Sequence, residues 1–116
     1  MGDNIFLKII RKEISVDIVY EDDEILAFKD IHPIAPMHIL IIPKKPIESM
    51  THMEAEDVSL IGKMFLVARN IARSLNISEK GYKLLIRVGR DGGQEVPHLH
   101  LHLLGGAQLT ENIHPV

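Results

Sequence analysis

Hydrophobic and polar positions along the chain follow two different periods, and the switches between them mark the elements. Ile5, Phe6, Ile9 and Ile10 recur at helical spacing behind Asp3, which predicts a first helix over about residues 4 to 12, with Asp3 as N-cap and Arg11 and Lys12 at its negative end. Residues 17–20 and 24–28 flank Glu21-Asp22-Asp23 and read as two strands joined by a tight acidic turn. Pro33 and Pro36 bracket a loop, after which residues 38–42 form the apolar, β-branched run of a buried strand closed by Pro43. From Glu54 to Leu75 the residues Val58, Ile61, Phe65, Ala68, Ala72 and Leu75 fall at alternating steps of three and four, the stripe of one long helix. Residues 82–88 and 98–104 are two further strands separated by a glycine-bearing loop, and Gly105-Gly106 stops the second. The expected fold is α+β: a mostly antiparallel five-stranded sheet with one short N-terminal helix and one long central helix, in a single domain over residues 1–116.

Composition narrows the functional classes. Apolar residues make up 46% and charged residues 25% of the chain, an ordinary globular balance, and no apolar run is long enough to cross a bilayer. The first residues carry an acid where a secretory signal would be basic, so a cytoplasmic protein without a membrane partner is expected, and the Asn76-Ile77-Ser78 sequon reads as incidental. With no cysteine, disulfides, thiolate chemistry and cysteine-based zinc sites are excluded. A net charge of -3 lacks the basic footprint of a protein that binds nucleic acid polymers, so any phosphate must be recognised locally.

The segment Pro97-His98-Leu99-His100-Leu101-His102-Leu103-Leu104 carries most of the chemical information. On a strand, alternation puts the three histidines on one face and Leu99, Leu101 and Leu103 on the other, where the leucines hold the register. The imidazoles then stand in a row roughly 6 to 7 Å apart. Histidine titrates near pH ~6.5, so one ring can be neutral and nucleophilic while a neighbour donates a proton or a hydrogen bond, which suits phosphoryl transfer. Two other readings fit the same spacing: solvated polar residues on the wet face of a sheet, and three ligands to Zn²⁺.

Just before the row, the backbone amides around Gly92, Gly93, Gln94 and Glu95 are able to approach an anion closely, although the loop also reads as a plain turn. His38 opens a strand that can lie beside the row and add a fourth imidazole. His32, His52 and His114 read as surface or loop residues, and Asp30, at a strand end, as a sugar-hydroxyl ligand or a turn residue.

With these residues in view the chain resembles the histidine-triad (HIT) superfamily and, within it, the Hint branch of nucleoside phosphoramidases. The resemblance runs through residues 5–14, 26–31 and 35–45, and above all through residues 91–106, whose His-x-His-x-His-x-x pattern with apolar x is the family signature. It implies a HIT-like fold, a homodimer with one continuous sheet, and hydrolysis of the phosphorus–nitrogen bond of an adenosine or guanosine 5′-phosphoramidate. The reaction would pass through a covalent nucleotidyl-histidine, with no metal or cofactor required. By position, the resemblance makes His100 the nucleophile and has His102 contact the phosphate or leaving group, with His98 orienting the nucleophile and His38 completing the network. It makes Asp30 the ribose ligand and Phe6, Ile9, Phe28 and Ile31 the purine slot, with Gln94, Glu95 and the amide of Val96 at the AMP or GMP phosphate.

Two positions depart from the family pattern. Arg87 stands where the family usually has asparagine, which predicts an added phosphate contact or a crowded site if it faces inward, and neither if it faces outward. Glu95, serine in some relatives, brings an acid to the phosphate. The alternatives are a dinucleoside polyphosphate hydrolase of the Fhit branch, against which His102 argues because that branch has glutamine there, and a purine-nucleotide-binding scaffold whose hydrolysis is incidental.

Overall fold

The computed structural model describes residues 2–115. Its elements in chain order are helix α1 (Ile5–Ile10), strands β1 (Ile18–Glu21), β2 (Ile25–Lys29) and β3 (Met37–Pro43), helix α2 (Val58–Ser74), and strands β4 (Lys83–Leu85) and β5 (Leu101–Gly105). Two 3-10 turns, Met50–His52 and Ala55–Asp57, lead into α2. The strands form one antiparallel sheet in the order β1-β2-β3-β5-β4. This is the α+β architecture expected. No helix among the described residues is long and apolar enough to cross a membrane.

Ladder register decides what each face carries, because residues opposite one another share a face and every second residue returns to it. Phe28 lies opposite Leu40, Leu40 opposite His102, and His102 opposite Leu85. Phe28, His38, Leu40, Leu85 and His102 therefore share one face, and one further step past β2 and β4 brings Asp30 and Arg87 toward it. The other face carries Ile25, Ala27, Ile39, Ile41, Leu101 and Leu103, which pack with Leu99 against Met64, Val67, Ala68, Ile71 and Ala72 of α2. On the histidine face the cover is α1, whose Phe6 and Ile9 close over Leu26, Phe28, Leu40 and Ile42. Both faces being covered explains why β2 and β3 read as continuous apolar runs.

Several boundaries differ from the sequence reading, each for a local reason. Asn4, not Asp3, caps α1: its side-chain oxygen accepts from the Leu7 amide at 3.0 Å, while Asp3 pairs with both terminal nitrogens of Arg11. The long helix starts at Val58 after the 3-10 turn, and its buried stripe is Met64, Val67, Ala68, Ile71 and Ala72, whereas Val58 is 62% and Phe65 40% exposed. Apolar residues cover more of α2 than one stripe, and Ala68 and Ala72, common to both stripes, are fully buried.

β4 covers only Lys83–Leu85 of the expected 82–88, and β5 begins at Leu101 rather than His98. Ahead of Leu101 the backbone turns to other partners. The Leu99 amide donates to the Ile47 carbonyl at 2.7 Å and the His98 amide to the Val96 carbonyl at 2.8 Å. The alternation continues through this irregular stretch even though the ladder does not.

Candidate active site

A cleft of about 540 Å³, within the size range of small-molecule sites, opens between α1, the β2–β3 connection and the glycine loop. Phe6, Ile9, Val16, Phe28 and Leu40 form its apolar wall; Asp30, His38, Arg87, Glu95, His100 and His102 supply its polar groups. Gly92 and Gly93 shape the loop at its edge. A Cβ on Gly92 would sit 2.4 Å from the Val88 carbonyl oxygen, and Gly93 has φ +80°, a conformation L side chains rarely adopt.

The imidazoles are buried, at 0% exposure for His98, 7% for His100 and 6% for His102, which sets aside the reading of solvated decoration. Their hydrogen bonds fix which nitrogen carries the proton. His100 Nδ1 lies 2.7 Å from the His98 carbonyl oxygen, which can only accept, so Nδ1 donates and the lone pair resides on Nε2. His98 Nε2 likewise donates to the Pro43 carbonyl at 2.8 Å, leaving its Nδ1 buried without a partner. The Ile34 amide donates to His38 Nδ1 at 3.1 Å, which places the His38 proton on Nε2, 2.9 Å from His102 Nδ1 and 3.4 Å from an Asp30 carboxylate oxygen.

Burial, which disfavours the charged ring, lowers the pKa of His38, His98 and His100 below the ordinary value of 6.5. At His102 burial, with the neighbouring His100, Arg87 and His38, pushes it down to about 3. All four are neutral at neutral pH.

His100 sits 4.9 Å from both the Phe6 ring and the His102 ring, centroid to centroid, closer than the separation of alternate residues along a strand. Among the described residues no three His, Cys, Asp or Glu side chains are grouped to hold a metal ion.

Of the residues singled out in the sequence, His38, His100, His102, Asp30, Phe6, Ile9, Phe28, Ile31, Arg87, Gly93, Glu95 and Val96 line the cleft. Ile31, at 69% exposure, stands at the lip rather than inside. His98 and Gln94 do not line it. The His98 main-chain carbonyl accepts from His100 Nδ1, and the His98 ring is tied to Pro43 and edge-on to Phe6. The Gln94 side chain is spent on the loop, accepting from the Gly89 amide and donating to the Glu48 and Val96 carbonyls.

His32, set aside as a loop residue, is also at the rim, where its amide donates to Asp30 at 2.8 Å. Ser15 and Lys29 line the cleft too, and no sequence pattern marked them. His52 is engaged with Ser49 and Glu48, and His114 is exposed. Arg87 faces inward, with Nη1 3.2 Å from His102 Nε2.

Relatives carry the same framework. The HIT domain model matches residues 11–109. The chain is 52% identical to an uncharacterized HIT-like protein of Synechococcus elongatus, over 93% of this chain and 94% of that one. It is 51% identical to the purine nucleoside phosphoramidase of Escherichia coli, over 92% and 90% respectively. Among solved structures, a HIT family hydrolase from Legionella pneumophila superposes with a TM-score of 0.92 at 46% identity, covering 94% of this chain and 97% of that one. A histidine triad protein from Clostridium difficile superposes with 0.93 at 39%, covering 97% and 98%. With the family model spanning most of its length and half of its residues shared with curated relatives, this chain belongs to the HIT domain family.

Proposed function

We propose that this chain hydrolyses purine nucleoside 5′-phosphoramidates of the AMP or GMP type, through a nucleotidyl group held covalently on His100. The observation that carries the reading is the Nδ1–carbonyl bond of His100, which leaves a fixed Nε2 lone pair in a largely apolar cleft. The base would occupy the wall of Phe6, Ile9 and Phe28, and Asp30 would accept from the ribose hydroxyls. Nε2 attacks phosphorus; the phosphorus–nitrogen bond breaks, its electron pair goes to nitrogen, and the amine leaves after taking a proton from solvent. The positive charge that develops on the ring is stabilised at Nδ1 by the His98 carbonyl. Water then attacks phosphorus and gives up a proton to solvent, the electron pair of the Nε2–phosphorus bond returns to the ring, and AMP or GMP departs. The 51% identity to a purine nucleoside phosphoramidase supports this substrate class.

The test is turnover of an adenosine phosphoramidate by purified protein in the presence of EDTA, since no metal is required by this route. The pH profile adds a sign. Attack needs His100 neutral, and burial lowers its pKa below 6.5, so the acid limb of kcat/KM is expected below pH 6.5. Dependence on zinc, an acid limb above that value, or a strong preference for a dinucleoside polyphosphate would contradict the reading. A homodimer belongs to the same proposal: Val58, Phe65 and Leu66 leave exposed apolar surface on α2, and a one-chain solution mass at micromolar concentration would overturn it.

A further inference from the structure

Arg87 and His102 meet in a way that a ligand-free site does not satisfy. Because the His38 Nε2–H points at His102 Nδ1, the single proton of neutral His102 belongs on Nε2. That N–H then faces Arg87 Nη1, which also only donates, at 3.2 Å. Moving the His102 proton to Nδ1 transfers the conflict to His38, whose own N–H stands 2.9 Å away. A neutral imidazole cannot accept at both nitrogens, so two donors converge on one place that holds no acceptor.

The fold directs both groups there. His102 lies opposite Leu85 in the β4–β5 ladder, and Arg87, two residues on, returns to the same face; its stem passes over Gly93, where a Cβ would come within 3.5 Å of Arg87 Cδ. Although Asp30 and Glu95 line the same cleft, no carboxylate of the described residues forms an ion pair with the Arg87 guanidinium. The charge is partly buried and uncompensated beside the nucleophile.

From this convergence we infer that Arg87 and His102 together clamp one non-bridging oxygen of the nucleotide's phosphate, making Arg87 a catalytic residue that touches the transferred group. The inference rests on the nucleotide reading of the cleft. An anionic oxygen between the two groups accepts from both and turns the apposition of donors into two charge-assisted hydrogen bonds. The same oxygen gains charge as His100 Nε2 attacks phosphorus, so a permanently charged, prepositioned guanidinium stabilises the transition state more than the ground state. Lysine at this position supplies the charge without the planar fork.

The experiment compares AMP and adenosine binding by calorimetry in wild type, Arg87→Gln and Arg87→Lys, followed by kcat/KM for an adenosine phosphoramidate. In Arg87→Gln, AMP affinity is expected to fall about 10- to 100-fold, adenosine affinity to stay within about twofold, and kcat/KM to drop about 100-fold or more. Arg87→Lys recovers part of each loss. Equal AMP affinity in wild type and Arg87→Gln would overturn the clamp while leaving the nucleotide site intact. A parallel loss of adenosine binding would overturn it in favour of a structural role. Failure of the wild type to bind either ligand would sink the nucleotide reading and the clamp with it.

Discussion

His100→Ala is expected to lower kcat for an adenosine phosphoramidate by about 10⁴-fold or more while leaving AMP affinity within about tenfold. In the proposed mechanism the ring supplies the attacking lone pair, and the neighbouring imidazoles cannot replace it. His98 lies outside the cleft with Nε2 committed to Pro43, and His102 has Nδ1 committed to His38 and Nε2 turned to Arg87. AMP binding survives because the apolar wall, Asp30 and the Arg87–His102 pair are untouched. Steady-state rates with calorimetric AMP titration of the same variant separate the two effects. A variant that keeps a tenth of wild-type turnover would place the nucleophile elsewhere.

Leu101→Ala, on the opposite face, is expected to cost about 2–5 kcal/mol of folding stability. That is a large share of the roughly 5–15 kcal/mol that holds a domain together. Leu101 is fully buried against α2 and pairs with Ile41 in the ladder, so truncation opens a cavity under the histidine row. For a chain of this size the thermal midpoint should drop by about 10 °C or more. Urea unfolding measures the loss directly, and a change under about 1 kcal/mol would mean that the leucine face is not packed as described.

The part of the site legible in the sequence is the part that follows from alternation. Three histidines and three leucines at a period of two have one arrangement that buries the leucines, and it survives even where the ladder has not begun, at His98 and His100. Pro43 likewise ends its strand by chemistry that belongs to a single residue. What the sequence does not carry is anything decided by partners distant in the chain.

The Arg87 direction is of that kind, since it depends on Leu85 lying opposite His102 rather than one residue along. So is the buried side of α2, because Val58 and Phe65 fit the helical period as well as Met64 and Ile71 do. Asp3 and Asn4 are both good caps, and only the phase of the helix selects Asn4. Gln94 has the right chemistry for a phosphate ligand, but its amide is consumed by Gly89, Glu48 and Val96, one of them more than forty residues away in sequence. His32 reads as a loop residue because it stands apart from the histidine row in sequence, whereas its amide donates to Asp30 at the rim of the cleft.

The central claim is that His100 Nε2, with its lone pair fixed by the His98 carbonyl, takes the nucleotidyl group. Acid- or base-quenched single-turnover reactions with an adenosine phosphoramidate, followed by peptide mass spectrometry, test it most directly. The account predicts an adenylyl adduct on His100 that forms at least as fast as kcat and disappears as AMP appears. Turnover with the adduct on another side chain, or with no adduct trapped at any time point under conditions where a synthetic adenylyl-imidazole survives, would contradict it.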